Sequence, residues 1–117
     1  MVELKEGYLL RMLIGESDRF GRQPLYEAVV LRAREFGLAG ATVLRGVMGY
    51  GKRSILHTAK ILRLSEDLPL VIEIVDSREK IDDFLPELVE MLGGGMVTVE
   101  KVRYLQSEGN SESESDS

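Results

Sequence analysis

Apolar and polar positions along the chain alternate in blocks that read as six elements. Residues 8–14, YLLRMLI, form a short apolar run between Gly7 and Gly15. Its length and flanking glycines predict a strand buried largely on both faces. A polar stretch, GESDRFGRQ, follows as a loop, and Pro24 suits the first position of a helix, where its missing donor is not needed. Tyr26, Val29, Val30, Ala33 and Phe36 then recur at helical spacing, and Gly37 fits the position just past the end. A second strand is predicted over residues 41–48. In a third, over residues 70–75, Leu70, Ile72 and Ile74 alternate with Val71, Glu73 and Val75.

Asp76 followed by Glu79 has the spacing of a capping box and predicts a second helix start. Ile81, Phe84, Leu85, Leu88 and Leu92 share one face of that helix. Pro86 interrupts it and removes the bond to the Asp82 carbonyl, at about 3 kcal/mol unless a kink relieves it. Gly93, Gly94 and Gly95 end it, and residues 96–104, MVTVEKVRY, are a β-branched last strand. The order strand, helix, strand, strand, helix, strand predicts an α+β, ferredoxin-like βαββαβ sandwich with one antiparallel sheet and a long loop between strands 2 and 3. Both helices then cover one face. Apolar residues on the other, among Leu9, Leu13, Val43 and Val71 or their alternates, call for a partner and favour a homo-oligomer.

Composition narrows the function classes. The 117 residues include no cysteine, which excludes thiol catalysis, disulfides and thiolate metal sites. The formal charge of −5 is uneven, because residues 107–117 (SEGNSESESDS) hold four acidic side chains and no apolar one, leaving −5 + 4 = −1 elsewhere. One domain over residues 1–106 and a disordered acidic, serine-rich tail over 107–117 are therefore expected. A near-neutral domain gives no basic patch for nucleic acid. The first sixteen residues, with Arg11 breaking the apolar run, read as neither signal peptide nor membrane span, so a cytoplasmic protein is the default.

The chemistry concentrates in residues 45–65, RGVMGYGKRSILHTAKILRLS, where Gly46, Gly49 and Gly51 precede Lys52, Arg53 and Ser54. Glycines beside cations can cradle a phosphate, and they can equally form a mobile hairpin excursion. Gly46 to Lys52 satisfies Gly-x4-Gly-Lys of a Walker A loop, but Arg53 stands where Ser or Thr must follow, and a hairpin is the wrong frame. His57, the single histidine, has no carboxylate three or four residues away and no second histidine to complete a metal site. Contact with a bound phosphate is the middle option for it. Residues 55–64 fit either strand or helix, with an extended arm preferred. The acidic pairs Glu16 with Asp18 and Asp82 with Asp83 are accounted for by solvation or the helix dipole. No nucleophile is paired with a base and an orienting group, so a non-enzymatic protein is expected.

Several segments resemble a known family: PLYEAVV, GATVLRGVMGYG, LSEDLPLVIEIVD and GMVTVE, in a match running from about Leu9 to Val102. They are similar to the small PII-like proteins, a domain of unknown function related by fold to the nitrogen-regulatory PII proteins. The resemblance implies a homotrimer with its sheets facing a central axis. It also implies an adenine nucleotide effector bound between subunits at the base of the long loop, which moves to engage a protein partner. By position, Arg45, Gly46, Gly49, Tyr50, Gly51 and Lys52 would form that base, with His57 on the moving arm. Arg103 would stand in for the tail arginines of PII. PII grips outer phosphates with a glycine–lysine loop before its last strand. Here that turn is Gly93-Gly94-Gly95-Met96 without lysine, so AMP or ADP is implied rather than a triphosphate. A protein-interaction module without a small ligand is the alternative.

Overall fold

The computed structural model describes residues 2–50 and 67–107. In chain order these form β1 (Lys5–Gly15), β2 (Arg19–Phe20), β3 (Gln23–Pro24), α1 (Leu25–Phe36), β4 (Thr42–Arg45), β5 (Pro69–Asp76), α2 (Arg78–Met91) and β6 (Met96–Tyr104). The main sheet has four strands in the order β4-β5-β1-β6, every neighbouring pair antiparallel. That is the expected ferredoxin-like topology. The expectations for residues 55–64 and for the tail beyond Ser107 lie outside the described residues.

Period-two patterning sets the core. Leu10, Met12 and Ile14 of β1 lie opposite Ile74, Ile72 and Leu70 of β5, and all six are buried under the helices. From α1 come Leu25, Ala28, Val29 and Ala33, and from α2 Ile81, Phe84, Leu88 and Met91. The rings of Phe36 and Phe84 meet at 5.3 Å and 59°, a tilted arrangement aromatic pairs favour.

Local chemistry moves several boundaries. β1 starts three residues before the expected run, because Gly7 is not a stop: a Cβ there would run into the Asp76 carbonyl oxygen and sit 2.7 Å from the Tyr104 ring, so the glycine makes room for both. Within one chain β1 is buried on one face, not both: Leu9 and Arg11 are half-buried and Leu13 exposed. β4 ends at Arg45 rather than residue 48. The polar loop contains the β2–β3 hairpin, turned at Gly21 with φ 66°, a left-handed conformation that suits glycine. Pro24 is the cap of α1 rather than its first residue, and Gly37 closes that helix at φ 89°.

At α2 the cap is Ser77, whose hydroxyl accepts from the Lys80 amide at 3.3 Å. Asp76 instead accepts from the amides of Ala39 (2.8 Å) and Ser77 (2.7 Å), tying the segment before β4 to the start of α2. α2 runs unbroken through Pro86; Pro86 and Asp82 are both exposed, so the carbonyl freed at Asp82 is left to water.

The helix-free face of the sheet carries one apolar row across all four strands. Leu44, Val71, Leu13 and Met96 are successive cross-strand partners, and Leu44, Leu13 and Met96 are 49%, 38% and 59% exposed. In the next row Arg11 pairs with Glu73 at 2.9 Å and reaches Glu100 at 3.7 Å.

Candidate functional site

A cavity of about 360 Å³ opens at the Gly15 end of β1, where four segments converge. β1 supplies Leu13, Ile14 and Gly15, and the chain leaving β4 supplies Gly46, Met48, Gly49 and Tyr50. Asp67 and Pro69 line the return into β5, and Gly94 and Gly95 the turn before β6.

Close packing dictates these glycines. A Cβ at Gly46 would lie 2.9 Å from the Pro69 ring, and one at Gly49 3.1 Å from it. At Gly95 a Cβ would lie 2.7 Å from the Leu13 carbonyl oxygen, a backbone atom with little freedom to give way. The Gly46 amide already donates to the Pro69 carbonyl oxygen at 2.7 Å, extending the β4–β5 pairing one residue past the strand. Gly46 therefore shapes the wall, and its amide is not free for a phosphate.

The charges here are carboxylates. Asp18 accepts from the Gly15 amide at 2.9 Å, and Asp67 accepts from the Ser17 hydroxyl at 2.7 Å and the Ser17 amide at 3.3 Å. The Glu16 amide donates to the Leu68 carbonyl oxygen at 2.8 Å. Arg45 does not line the cavity; its guanidinium is held by Glu16 at 2.5 Å. Among the described residues the cavity wall has no cation. No group of three histidine, aspartate or glutamate side chains among them could hold a metal ion.

A second cleft, of about 690 Å³, lies at the other end of β1 between Glu6, Tyr8, Arg78, Lys101 and Arg103. The Arg78 guanidinium sits 6.0 Å from the centre of the Tyr8 ring and 3.5 Å from Asp82. Glu6 is the register partner of Arg103. Gly15 lies nine positions beyond Glu6 along β1, about 30 Å of extended chain.

Of the sequence-predicted site residues, the structure brings together Gly46, Gly49 and Tyr50, and puts Arg45 beside them but turned away. Arg103 belongs to the other cleft. Gly51, Lys52 and His57 lie outside the described residues. Sequence reasoning missed Asp18, Asp67, Pro69 and the second role of Gly94 and Gly95. The legible signal was the triple glycine, read as a helix stop and as a lysine-free counterpart of the PII phosphate loop, but not as part of a cavity wall.

With this geometry in view, the fold is that of the PII-like proteins. A Thermus thermophilus protein described as PII-like superposes with a TM-score of 0.62 at 19% identity, over 89% of this chain and 94% of that one. The CPII protein of Thiomonas intermedia bound to ADP, AMP and acetate gives 0.61 at 15% identity, over 90% and 94%. The chain belongs to the DUF190 family (Uncharacterized ACR, COG1993), which matches residues 7–104. A UPF0166 protein of Aquifex aeolicus is 40% identical over 97 residues, 83% of this chain and 91% of that one. A second, from Methanocaldococcus jannaschii, is 35% identical over 92 residues, 78% and 84%. Among the described residues no helix is long and apolar enough to cross a membrane.

Proposed function

We propose that the protein is a PII-like regulator, a homotrimer that takes an adenine nucleotide, AMP or ADP, in clefts between its subunits. The observation that carries this is the division of chemistry along β1. One end offers a glycine-walled cavity beside the exposed Tyr50 ring but no cation in its described wall; the other offers Arg78, Lys101 and Arg103 in an open cleft. Each is half a nucleotide site. An aromatic ring and a shaped cavity suit a base, and guanidinium groups suit phosphate. At about 30 Å apart the halves cannot meet in one chain. They can meet across a subunit boundary if the apolar row Leu44-Val71-Leu13-Met96 packs against neighbouring copies.

The nucleotides bound by CPII support the choice of ligand, and the lysine-free turn at Gly93-Gly94-Gly95 supports a mono- or diphosphate. The loop beyond Arg45, including Gly51, Lys52 and His57, would then answer the ligand and engage or release a protein partner. Calorimetry with AMP, ADP and ATP at protein concentrations able to saturate a ~100 μM site tests the proposal. Binding of AMP or ADP is expected; no heat with any of the three would sink it.

One observation favours a second reading, a protein-interaction module without a small ligand. Val47, Met48 and Tyr50 are 93%, 64% and 76% exposed, an apolar stretch leaving β4 that suits a protein surface. That reading predicts an intact oligomer, no thermal shift with nucleotides, and loss of partner capture when the loop is deleted.

A further inference from the structure

The turn after β1 holds both stems of the long loop, and it holds them differently. On the return stem the Glu16 amide donates to the Leu68 carbonyl, and Asp67 accepts both the amide and the hydroxyl of Ser17. These bonds share no group with the exit stem. On the exit stem the contact is one ion pair, Arg45 with Glu16 at 2.5 Å, in which the arginine side chain is 62% exposed and the glutamate 20%. The other carboxylate oxygen of Glu16, Oε1, is shielded from solvent without a hydrogen-bond partner. Neither Arg45 nor Glu16 lines the cavity, although Gly46, next in the chain, does.

We infer that Glu16 is a positioning residue that competes with the ligand for Arg45. It holds the guanidinium out of the cavity, and an anionic ligand recruits the Arg45 side chain to its phosphate while the backbone of the exit stem stays paired to Pro69. The inference rests on the nucleotide reading given above. The direction of exchange follows from the strengths involved. The exposed Arg45 side chain gains little from its single contact with Glu16, whereas a guanidinium on a phosphate can form two parallel charge-assisted bonds. The exchange also gives the glycine end a cation of its own to add to those that the Arg78, Lys101 and Arg103 cleft of a neighbouring copy would bring to the phosphate. That cation is one residue from the cavity wall, held on a carboxylate.

The inference is tested by ADP titration calorimetry on the full chain, the wild type beside Glu16→Gln, Arg45→Ala, the double variant and Ser17→Ala, with thermal melts to establish that each is folded. Glu16→Gln keeps the amide that bonds Leu68 and removes only the charge, so ADP should bind about two- to fivefold tighter. Arg45→Ala should weaken it about tenfold. In the Arg45→Ala background Glu16→Gln should have no effect beyond error, because Glu16 acts through Arg45. Ser17→Ala, on the return stem, should change affinity less than about twofold. If the wild type binds ADP while Glu16→Gln binds it equally or more weakly, the inference fails and the nucleotide reading stands. An equal gain with and without Arg45 means simple repulsion by Glu16 and also overturns it. If the wild type binds no ADP, both fall.

Discussion

At the Gly15 end of β1 the surface is made of glycine, proline and two engaged carboxylates, and at the Glu6 end of Arg78, Lys101 and Arg103 around a tyrosine ring. The two ends belong to one eleven-residue strand, yet they obey different rules. Close packing governs the first: at Gly46 and Gly95 the Pro69 ring and the β1 backbone leave no room for a side chain, and at Gly49 the Pro69 ring would have to shift slightly to admit one. Solvation governs the second, where long cationic side chains stand exposed at the end of the sheet. A site that has to bind a phosphate and a base draws on both. On the proposed reading, the separation of the two along one strand would make assembly part of the binding chemistry.

The largest effect should come from separating the copies. Leu9→Asp puts a charge on the helix-free face, opposite Val75, without touching either cleft or the buried core. Light scattering after size exclusion should show a shift from trimer to monomer, and ADP binding should vanish with it. A variant that stays trimeric would place the interface elsewhere. Next in size is Gly95→Val at the packing-governed end. Its side chain would press on the Leu13 carbonyl and on Ile14, so we expect both lost ADP binding and about 1–3 kcal/mol of lost stability in denaturant melts.

The solvation-governed end should behave in the opposite way. Arg103→Ala should weaken ADP about tenfold while leaving stability within about 0.5 kcal/mol, since the side chain is exposed. Equal losses of stability at the two ends would erase the contrast between them. The smallest effect is expected at the return stem, where Ser17→Ala removes one exposed hydroxyl bond to Asp67 and should cost about 1 kcal/mol or less, read from the melting midpoint.

Much of the fold was legible because one-sided burial leaves a period of two. Leu70, Ile72 and Ile74 announced β5, and β6 falls on the expected residues, 96–104. What the sequence hid were contacts between distant residues. Gly7 looks like a strand boundary until the Tyr104 ring is seen against it, and Asp76 looks like a helix cap until its bond to the Ala39 amide is known.

The candidate site followed the same division. Gly46, Gly49 and Tyr50 were visible as a glycine-rich run, but the need for those glycines lies in Pro69, about twenty residues on. Glu16 and Asp18 looked like solvated loop charges. Local spacing could suggest that Asp18 caps the Gly15 amide, whereas nothing in the order of residues joins Glu16 to Arg45, twenty-nine positions away. Arg103 and Gly46 were grouped by family resemblance alone, and the structure places them at opposite ends of the sheet.

The composite nature of the site is most directly tested by mixing two defective subunits. Gly95→Val and Arg103→Ala chains, each unable to bind ADP well, are unfolded together, refolded as mixed trimers and titrated with ADP. If the site joins the glycine end of one copy to the arginine end of the next, an equal mixture should regain wild-type affinity at about one site in four. If each chain carries its own site, no mixture can restore binding, and affinity that stays as low as in the separate variants would contradict the account.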